Sequence, residues 1–381
     1  MMSLQGPELH IVCFDVPYPA DYGGAIDVFY KIKALWEQGC VIYLHCFQYG
    51  RPEAPELKNY CKEVWYYKRQ TGWKGLSLLK PYIVYSRRDK LLRQRLTEIE
   101  APILFEGIHS TFLLEEPSIQ NRLKIIRTHN IEAAYYRKLA SRASSKLSAI
   151  YFQVEGQLLH RYEKRLHEAD LFLELSTADK DYFSAAYPER DHLFLPPFHP
   201  FTTSDIPVGS GNYCLYHGNL SHPENEEAVL YLLKEVVPFV AVPFIIAGKD
   251  PGALITDRVK EIKHCTLVAD PSSDVMERLI RDAHIHVLPT FQATGMKLKL
   301  LFALLNGRHV VCNRDMLWGS GLESICNLAE SSSDFIAAIA KLMEEPFTTE
   351  AKATRTKLLD NGYANASNAT RLITYLQQRS L

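Results

Sequence analysis

The residues in this chain best suited to chemistry run from Pro289 to Lys299, Pro-Thr-Phe-Gln-Ala-Thr-Gly-Met-Lys-Leu-Lys. A short apolar run, Ile285–Leu288, ends in polar residues and one glycine, and an apolar helical pattern is expected to open from Gly295. Free N–H groups and the positive end of a helix suit an anion. The glycine permits close backbone approach, Thr294 offers a hydroxyl, and Lys297 adds charge. The same segment also reads as a plain strand-to-helix turn with an outward lysine. A second polar loop, His217-Gly218-Asn219-Leu220-Ser221, follows another strand pattern, and Lys249 follows Gly248 at the end of a third. Parallel strands bring their carboxyl ends to one edge, so three such loops in one sheet point to a shared phosphate site. Asp179-Lys180-Asp181 has the D-x-D form used by metal-dependent sugar transferases. Ser176-Thr177 before it reads as a helix cap with Asp179 in the first turn, so no metal ligand is expected there.

The elements that must position these residues alternate. Leu9–Phe14, with a helix pattern after it over Ala25–Glu37, and Val41–Phe47 are short apolar runs, as are Pro102–Phe105, Leu123–Ile126 and Leu171–Leu175, each of these three followed by a helical stretch. Such alternation reads as βα units around a parallel sheet. Leu147, Tyr151, Val154, Leu158, Tyr162 and Ala169 recur at helical spacing, as in one long amphipathic helix. Pro and Gly gather between Leu195 and Ser210, as in a linker. A second series follows, with strands at Tyr213–His217, Pro243–Ala247, Cys265–Ala269, Ile285–Leu288 and His309–Cys312. Ser221-His222-Pro223-Glu224 fits a capping box. Helices are expected from about Asp334, Thr349 and Asn365. The fold class expected is therefore α/β, with two doubly wound Rossmann-like domains and a ligand in the cleft between their sheet ends. The domains are expected at 1–198 and 199–364, with a helix at 365–381 packing back on the first.

Bulk properties set the limits. The 381 residues are 47% apolar and 23% charged, with a net charge of −1 and a pI near 6.9. A near-neutral chain lacks the broad basic surface that nucleic acid requires. The eight cysteines form no C-x-x-C pair and no Cys/His cluster at zinc spacing. The first residues lack the basic flank and apolar core of a signal peptide, and no run is long enough to span a membrane. A reducing cytoplasm is the expected setting, so the N-x-S/T triplets at Asn219, Asn365 and Asn368 read as chance.

The order of these features resembles retaining GT-B glycosyltransferases of the large family 4 type. The stretches that carry the resemblance are LYHGNLSHPENEEAVLYL, FIIAGKDPG and LVADPSSDVMERLIRDAHIHVLPTFQATGMKLKLLFALLNGRHVVCN, with PYPADYGGAIDVFYKIKALWEQG and RTHNIEAAYYRKLA in the first half. They span nearly the whole chain and are most similar to a bacterial branch with TG-x-K-x-K in the donor loop. The resemblance implies a hexose moved from a nucleoside-diphosphate sugar (UDP or GDP type) to a glycan or lipid-linked acceptor with retention. The donor is then a substrate, and no cofactor or metal is expected. Gly218, Asn219, Lys249, Thr294, Gly295, Met296 and Lys297 would surround the diphosphate and sugar. Val268 and Ala269 would lie beside the base, and Gly23 and Gly24 would approach from the other domain. His129 would stand nearest the reacting sugar, with Asn130 and Glu106 as neighbours; a lone histidine at a strand end also serves as a structural hydrogen-bonder.

One departure bears on activity. The family's donor loop carries two glutamates separated by seven residues, the second of which binds the nucleotide ribose. Counting back from Gly307, those places hold Thr294 and Phe302. Phe302 cannot accept hydrogen bonds from ribose hydroxyls, so either another group, such as Glu323, takes that role or donor binding is weak. A catalytically weak or inactive donor-binding partner of a polysaccharide assembly system is therefore the alternative, with a sugar-nucleotide epimerase as a third reading.

Finally, 58–95 holds eleven Lys and Arg against two acids, Glu63 and Asp89, with Trp65, Tyr66, Tyr67, Trp73, Leu78, Leu79 and Tyr82 interleaved. That mixture suits peripheral contact with anionic lipid on the inner membrane face. It reads equally as a solvated basic face over a partly buried aromatic row.

Overall fold

The computed structural model describes residues 6–141, 143, 145–203, 206–293 and 295–379. The chain divides into two compact units, Met1–Pro200 with Asn365–Leu381, and Phe201–Ala364.

The first unit is built on seven parallel strands: β1 (Glu8–Cys13), β2 (Val41–Gln48), β3 (Glu63–Lys68), β4 (Ile103–Glu106), β5 (Lys124–Thr128), β6 (Leu171–Glu174) and β7 (Asp191–Phe194). They lie in the order β3-β2-β1-β4-β5-β6-β7. Its helices are α1 (Gly23–Glu37), α2 (Tyr82–Tyr85), α3 (Lys90–Glu98), α4 (Glu132–Ser141), α5 (Lys146–Glu163) and α6 (Thr177–Ala186). Strands β1, β2, β4 and β6 are near-continuous apolar runs because both faces are covered. Leu9, Ile11, Leu44 and Leu173 pack into one core, and Val12, Phe47, Phe105 and Phe172 into another.

The second unit has six parallel strands: β8 (Cys214–Asn219), β9 (Phe244–Lys249), β10 (Cys265–Ala269), β11 (Ile285–Leu288), β12 (His309–Cys312) and β13 (Asn327–Leu328). Their order is β10-β9-β8-β11-β12-β13. Its helices are α7 (Pro223–Glu235), α8 (Ala253–Lys260), α9 (Ser273–Asp282), α10 (Leu298–Asn306), α11 (Arg314–Leu317), α12 (Ser332–Met343) and α13 (Thr349–Gly362). The last helix, α14 (Asn365–Arg379), belongs to the first unit, where its buried Ala369, Leu372 and Leu376 join the core that holds Ile32 and Leu35 of α1. Both sheets reverse strand order beside their first strand, and that switch point is where open α/β sheets bind ligands.

Four local expectations change. The helix after β11 begins at Leu298, because Gly295 sits at φ 56 and Lys297 is an extended N-cap. Ser221 caps nothing: α7 starts at Pro223 with His222 as a cap that makes no side-chain bond. The stripe from Leu147 to Ala169 is one α-helix only to Glu163, and Leu147, Tyr151 and Val154 are exposed. Strands β3 and β7 are additional; β3 lies inside the basic segment.

Candidate functional site

In the second unit the candidate residues converge on strand ends. Gly218 and Asn219 close β8, Lys249 closes β9, Val268 and Ala269 close β10, and Gly295, Met296 and Lys297 lie between β11 and α10. Register pairs Gly218 and Ala269 with Gly248, and Asn219 with Lys249. Thr294 lies outside the described residues. A Cβ on Gly248 would fall 1.8 Å from the carbonyl oxygen of Gly218, so the paired ends of β8 and β9 come this close only with glycine at 248. Asn219 is not a loose side chain: its Oδ1 accepts from the Ser221 amide (3.1 Å) and hydroxyl (2.8 Å).

Glu224, in the first turn of α7, faces the loop that follows β11. It accepts from the Thr290 hydroxyl at 2.6 Å and pairs with Lys297 at 2.9 Å. Burial pushes its carboxyl up, but Lys297 and the Thr290 bond outweigh this and hold it below the ordinary glutamate range. Lys297 is thus charge-balanced by a carboxylate.

The lysine two residues on, unassigned from the sequence, has the more unusual setting. Lys299 Nζ donates to the Tyr216 hydroxyl at 2.9 Å and to Asn225 Oδ1, and stands 4.8 Å over the Tyr216 ring. Its burial pushes the ammonium down to about 7, against the pull of Glu224. A Cβ on Gly218 would come within 3.3 Å of that nitrogen. Lys299 therefore lies directly beneath the glycine at the end of the strand bordering the switch point. The sequence signal was the second lysine of TG-x-K-x-K.

Phe302 is packed rather than poised. It meets Phe201 edge-on at 5.0 Å and lies against Leu215, Ala247, Ile280 and Ala283. Glu323 is exposed, in a short 3-10 turn before β13.

In the first unit, Glu106 ends β4 and His129 follows β5, and the two meet at 3.2 Å from Nε2 to Oε2. A carboxylate accepts, so Nε2–H donates, and Nδ1 is the nitrogen left for another partner. Asn130 bonds instead to Glu132, at 3.4 Å. Burial raises the Glu132 carboxyl to about 7, with Asn130 opposing and Glu163 adding to the rise. Gly23 and Gly24 open α1, and a Cβ on Gly24 would lie 3.1 Å from the Phe14 ring. That ring stands edge-on to His129 at 5.4 Å. Gly107, at φ 69, lies between them; its Cβ would be 3.0 Å from His109 Nδ1 and 3.5 Å from His129.

Beneath His129 runs a buried ion network. Lys31 pairs with Glu106 at 2.8 Å and with Asp27 at 3.2 Å, and Arg127 clamps Asp27 at 2.8 and 3.1 Å. Burial pushes the Glu106 carboxyl up, but Lys31 and His129 hold it below the usual range. Among the described residues, Asp27, Glu106 and His129 form the one group with metal-ligand spacing. Lys31 and Arg127 already neutralise both carboxylates, which fits an ion-paired scaffold better than a cation site. Asp179 is likewise engaged, with its amide and carboxylate both bonded to Ser176 at the start of α6.

Comparison with known proteins agrees with this architecture. No protein-family model matches the chain. It is 25% identical to an uncharacterised 44.6 kDa protein in the cps region of Klebsiella pneumoniae, over 79% of this chain and 81% of the relative. Among solved structures it is similar to sucrose-phosphate synthase from Thermosynechococcus elongatus, with a TM-score of 0.69, 15% identity and coverage of 98% and 99%. It is also similar to the UDP-forming trehalose-phosphate synthase of Burkholderia vietnamiensis, with a TM-score of 0.63, 12% identity and 97% coverage of both chains. At such identities the likeness speaks of fold: the chain has the GT-B architecture, two doubly wound parallel-sheet α/β domains in tandem.

Proposed function

We propose that this chain is a glycosyltransferase that moves a hexose from a nucleoside-diphosphate sugar, of UDP or GDP type, to a glycan or lipid-linked acceptor with retention at the anomeric carbon. The observation that carries the reading is Lys299 beneath Gly218, a buried lysine at a glycine strand end beside the switch point. The similarity of the whole chain to solved sugar-phosphate synthases supports it.

In this reading the bond from the anomeric carbon to the diphosphate breaks while the acceptor oxygen bonds to that carbon on the same face, and the acceptor's proton passes to an oxygen of the departing diphosphate. Negative charge develops on the leaving diphosphate, and Lys299 and Lys297 are placed to stabilise it, with Glu224 releasing Lys297 as the phosphate arrives. The two lysines supply the positive charge that a divalent cation supplies in D-x-D enzymes, so the reaction is proposed to need no metal. Backbone at Gly218, Asn219, Gly295 and Met296 lines the phosphate, Lys249 stands at the neighbouring strand end, and Val268 and Ala269 sit beside the base. Gly23 and Gly24 give the acceptor side its close backbone. His129, its tautomer set by Glu106, orients the acceptor hydroxyl, with Asn130 beside it.

Phe302 supports a second reading, a donor-binding partner of a sugar-assembly system that does not turn over, because it stands where the resemblance expects the ribose-binding glutamate; Glu323 is the substitute the first reading requires. Release of UDP or GDP from the matching nucleotide-hexose, in the presence of glycan or lipid-linked acceptor, separates the two. Release that Lys299→Ala abolishes supports the transferase. Tight nucleotide binding without release, in every donor and acceptor pairing, supports the partner protein.

A further inference from the structure

The basic, aromatic segment does not act as one face. Arg87 is buried: its Nε donates to the Phe14 carbonyl at 2.9 Å and its Nη1 to the Ile83 carbonyl at 2.6 Å, while Arg95 lies over the Trp65 and Tyr67 rings. These groups build the sheet and the loop under His129. Exposed beside such lysines as Lys68 is a short strap from Gly72 to Lys80, whose tips are apolar. Leu78 is 94% exposed, Leu79 82% and Trp73 80%, with Leu76 exposed beside them.

The strap is well tied down. Gln70 N–H donates to the Ser86 carbonyl (2.8 Å), Gly72 N–H to the Tyr82 hydroxyl (3.1 Å), and Arg88 to the Lys74 carbonyl (2.9 Å), while the Ser77 hydroxyl accepts from Leu79 and Lys80. Its polar groups fix the backbone and its leucines face water. Helix α5 lies alongside, since the Tyr82 amide donates to Glu155 at 2.8 Å and Tyr151 lies in the field of Tyr82, Arg69 and Tyr49. That helix exposes Leu147 (81%), Ile150, Tyr151 and Val154, a single stripe at i, i+3, i+4 and i+7. Strap and stripe each expose large apolar side chains, a feature that marks an interaction site.

Charge selects the occupant. No acid occurs between Val64 and Arg88, nor between Ala133 and Val154, and exposed Lys68, Lys74, Arg137, Lys138 and Lys146 lie in those stretches. We infer that the strap at Trp73–Leu79 and the outer stripe of α5 form a peripheral membrane-binding face that seats its apolar side chains among the headgroups of an anionic bilayer. Large exposed apolar tips in stretches that carry cations and no acid, with Glu155 buried where α5 meets Tyr82, match an interfacial anchor. The inference rests on this surface alone and stands apart from the proposed transferase activity.

Sedimentation of the full chain with phosphatidylcholine vesicles, with and without one third phosphatidylglycerol, tests it at low salt. Binding is expected to the anionic vesicles only, with a blue shift of tryptophan fluorescence that Trp73→Phe removes. Leu78→Glu/Leu79→Glu is expected to weaken partitioning about tenfold or more, and Leu147→Glu to weaken it too. Leu254→Glu, at an exposed leucine of the second unit, should match wild type, and all variants should melt at wild-type temperature. The inference is overturned if wild type stays in the supernatant, or if the double variant binds as wild type does. It is also overturned if the patch instead mediates a dimer that the double variant dissociates while vesicle binding is absent.

Discussion

Lys299 carries a pH signature that distinguishes it from the surface lysines. In the free protein its ammonium is held near 7 by burial, so it loses its proton as pH rises through that value. A diphosphate binds the charged form, so above pH 7 binding must take up a proton and affinity falls, approaching about tenfold per pH unit. Calorimetric titration of UDP or GDP between pH 6 and 9 is expected to show this slope, and Lys299→Ala to flatten it. Glu224→Gln gives a second prediction. It leaves Lys297 without its carboxylate partner, so nucleotide affinity should rise by about three- to tenfold and become more salt-dependent. At this scale the sequence was half legible. TG-x-K-x-K drew attention to the loop after β11, but nothing in its spacing marked Lys299 as the buried lysine. Spacing alone does not reveal which lysine turns under Gly218 and which meets Glu224. The likeness of Ser221–Glu224 to a capping box concealed the acid's partnership with Lys297. His129 and Glu106 were readable as neighbours, while Asp27 and Lys31, one turn apart on α1, gave no sign that they sit below them.

The elements were legible wherever apolar runs were long. β1, α1, β2, β8, β11 and β12 fall within a residue or two of expectation, because strands covered on both faces are written as unbroken hydrophobic runs. Misreadings came where local geometry overrode pattern. Gly295, in left-handed conformation, delays α10 to Leu298, and the polar β3 and β7 were hidden by charged and aromatic residues. The ion network under β4 and β5 should be structural as well as positional. Asp27→Ala strands Arg127 and Lys31 in the core, and about 3–5 kcal/mol of stability should be lost in urea unfolding. The Asp27 and Glu106 carboxyls are both held below their ordinary range. Their contribution is therefore complete above about pH 4, the unfolded value, and lost as pH falls through the folded values, whereas Glu132, raised to about 7 by burial, costs stability as pH rises toward that value. Gly248→Ala should abolish folding of the second unit, because the new Cβ meets backbone rather than a movable side chain.

For the molecule as a whole, alternation and composition conveyed two α/β units and excluded a broad basic surface. Among the described residues no helix is long and apolar enough to cross a membrane. The return of α14 to the first unit means that the end of the chain stabilises its beginning. Leu372→Ala or Leu376→Ala should each cost about 2–5 kcal/mol and lower the melting of the first unit while sparing the second, as hydrogen exchange resolved by unit would report. The proposed activity requires that the second unit receive a nucleoside diphosphate at Gly218 and Lys299. Isothermal titration of wild type and Lys299→Ala with UDP and GDP at pH 7 tests it most directly. One nucleotide is expected to bind wild type and to bind the variant about ten- to a hundredfold more weakly, the loss of one charged hydrogen-bonded contact. Binding of neither nucleotide, or equal binding to both proteins, would contradict it.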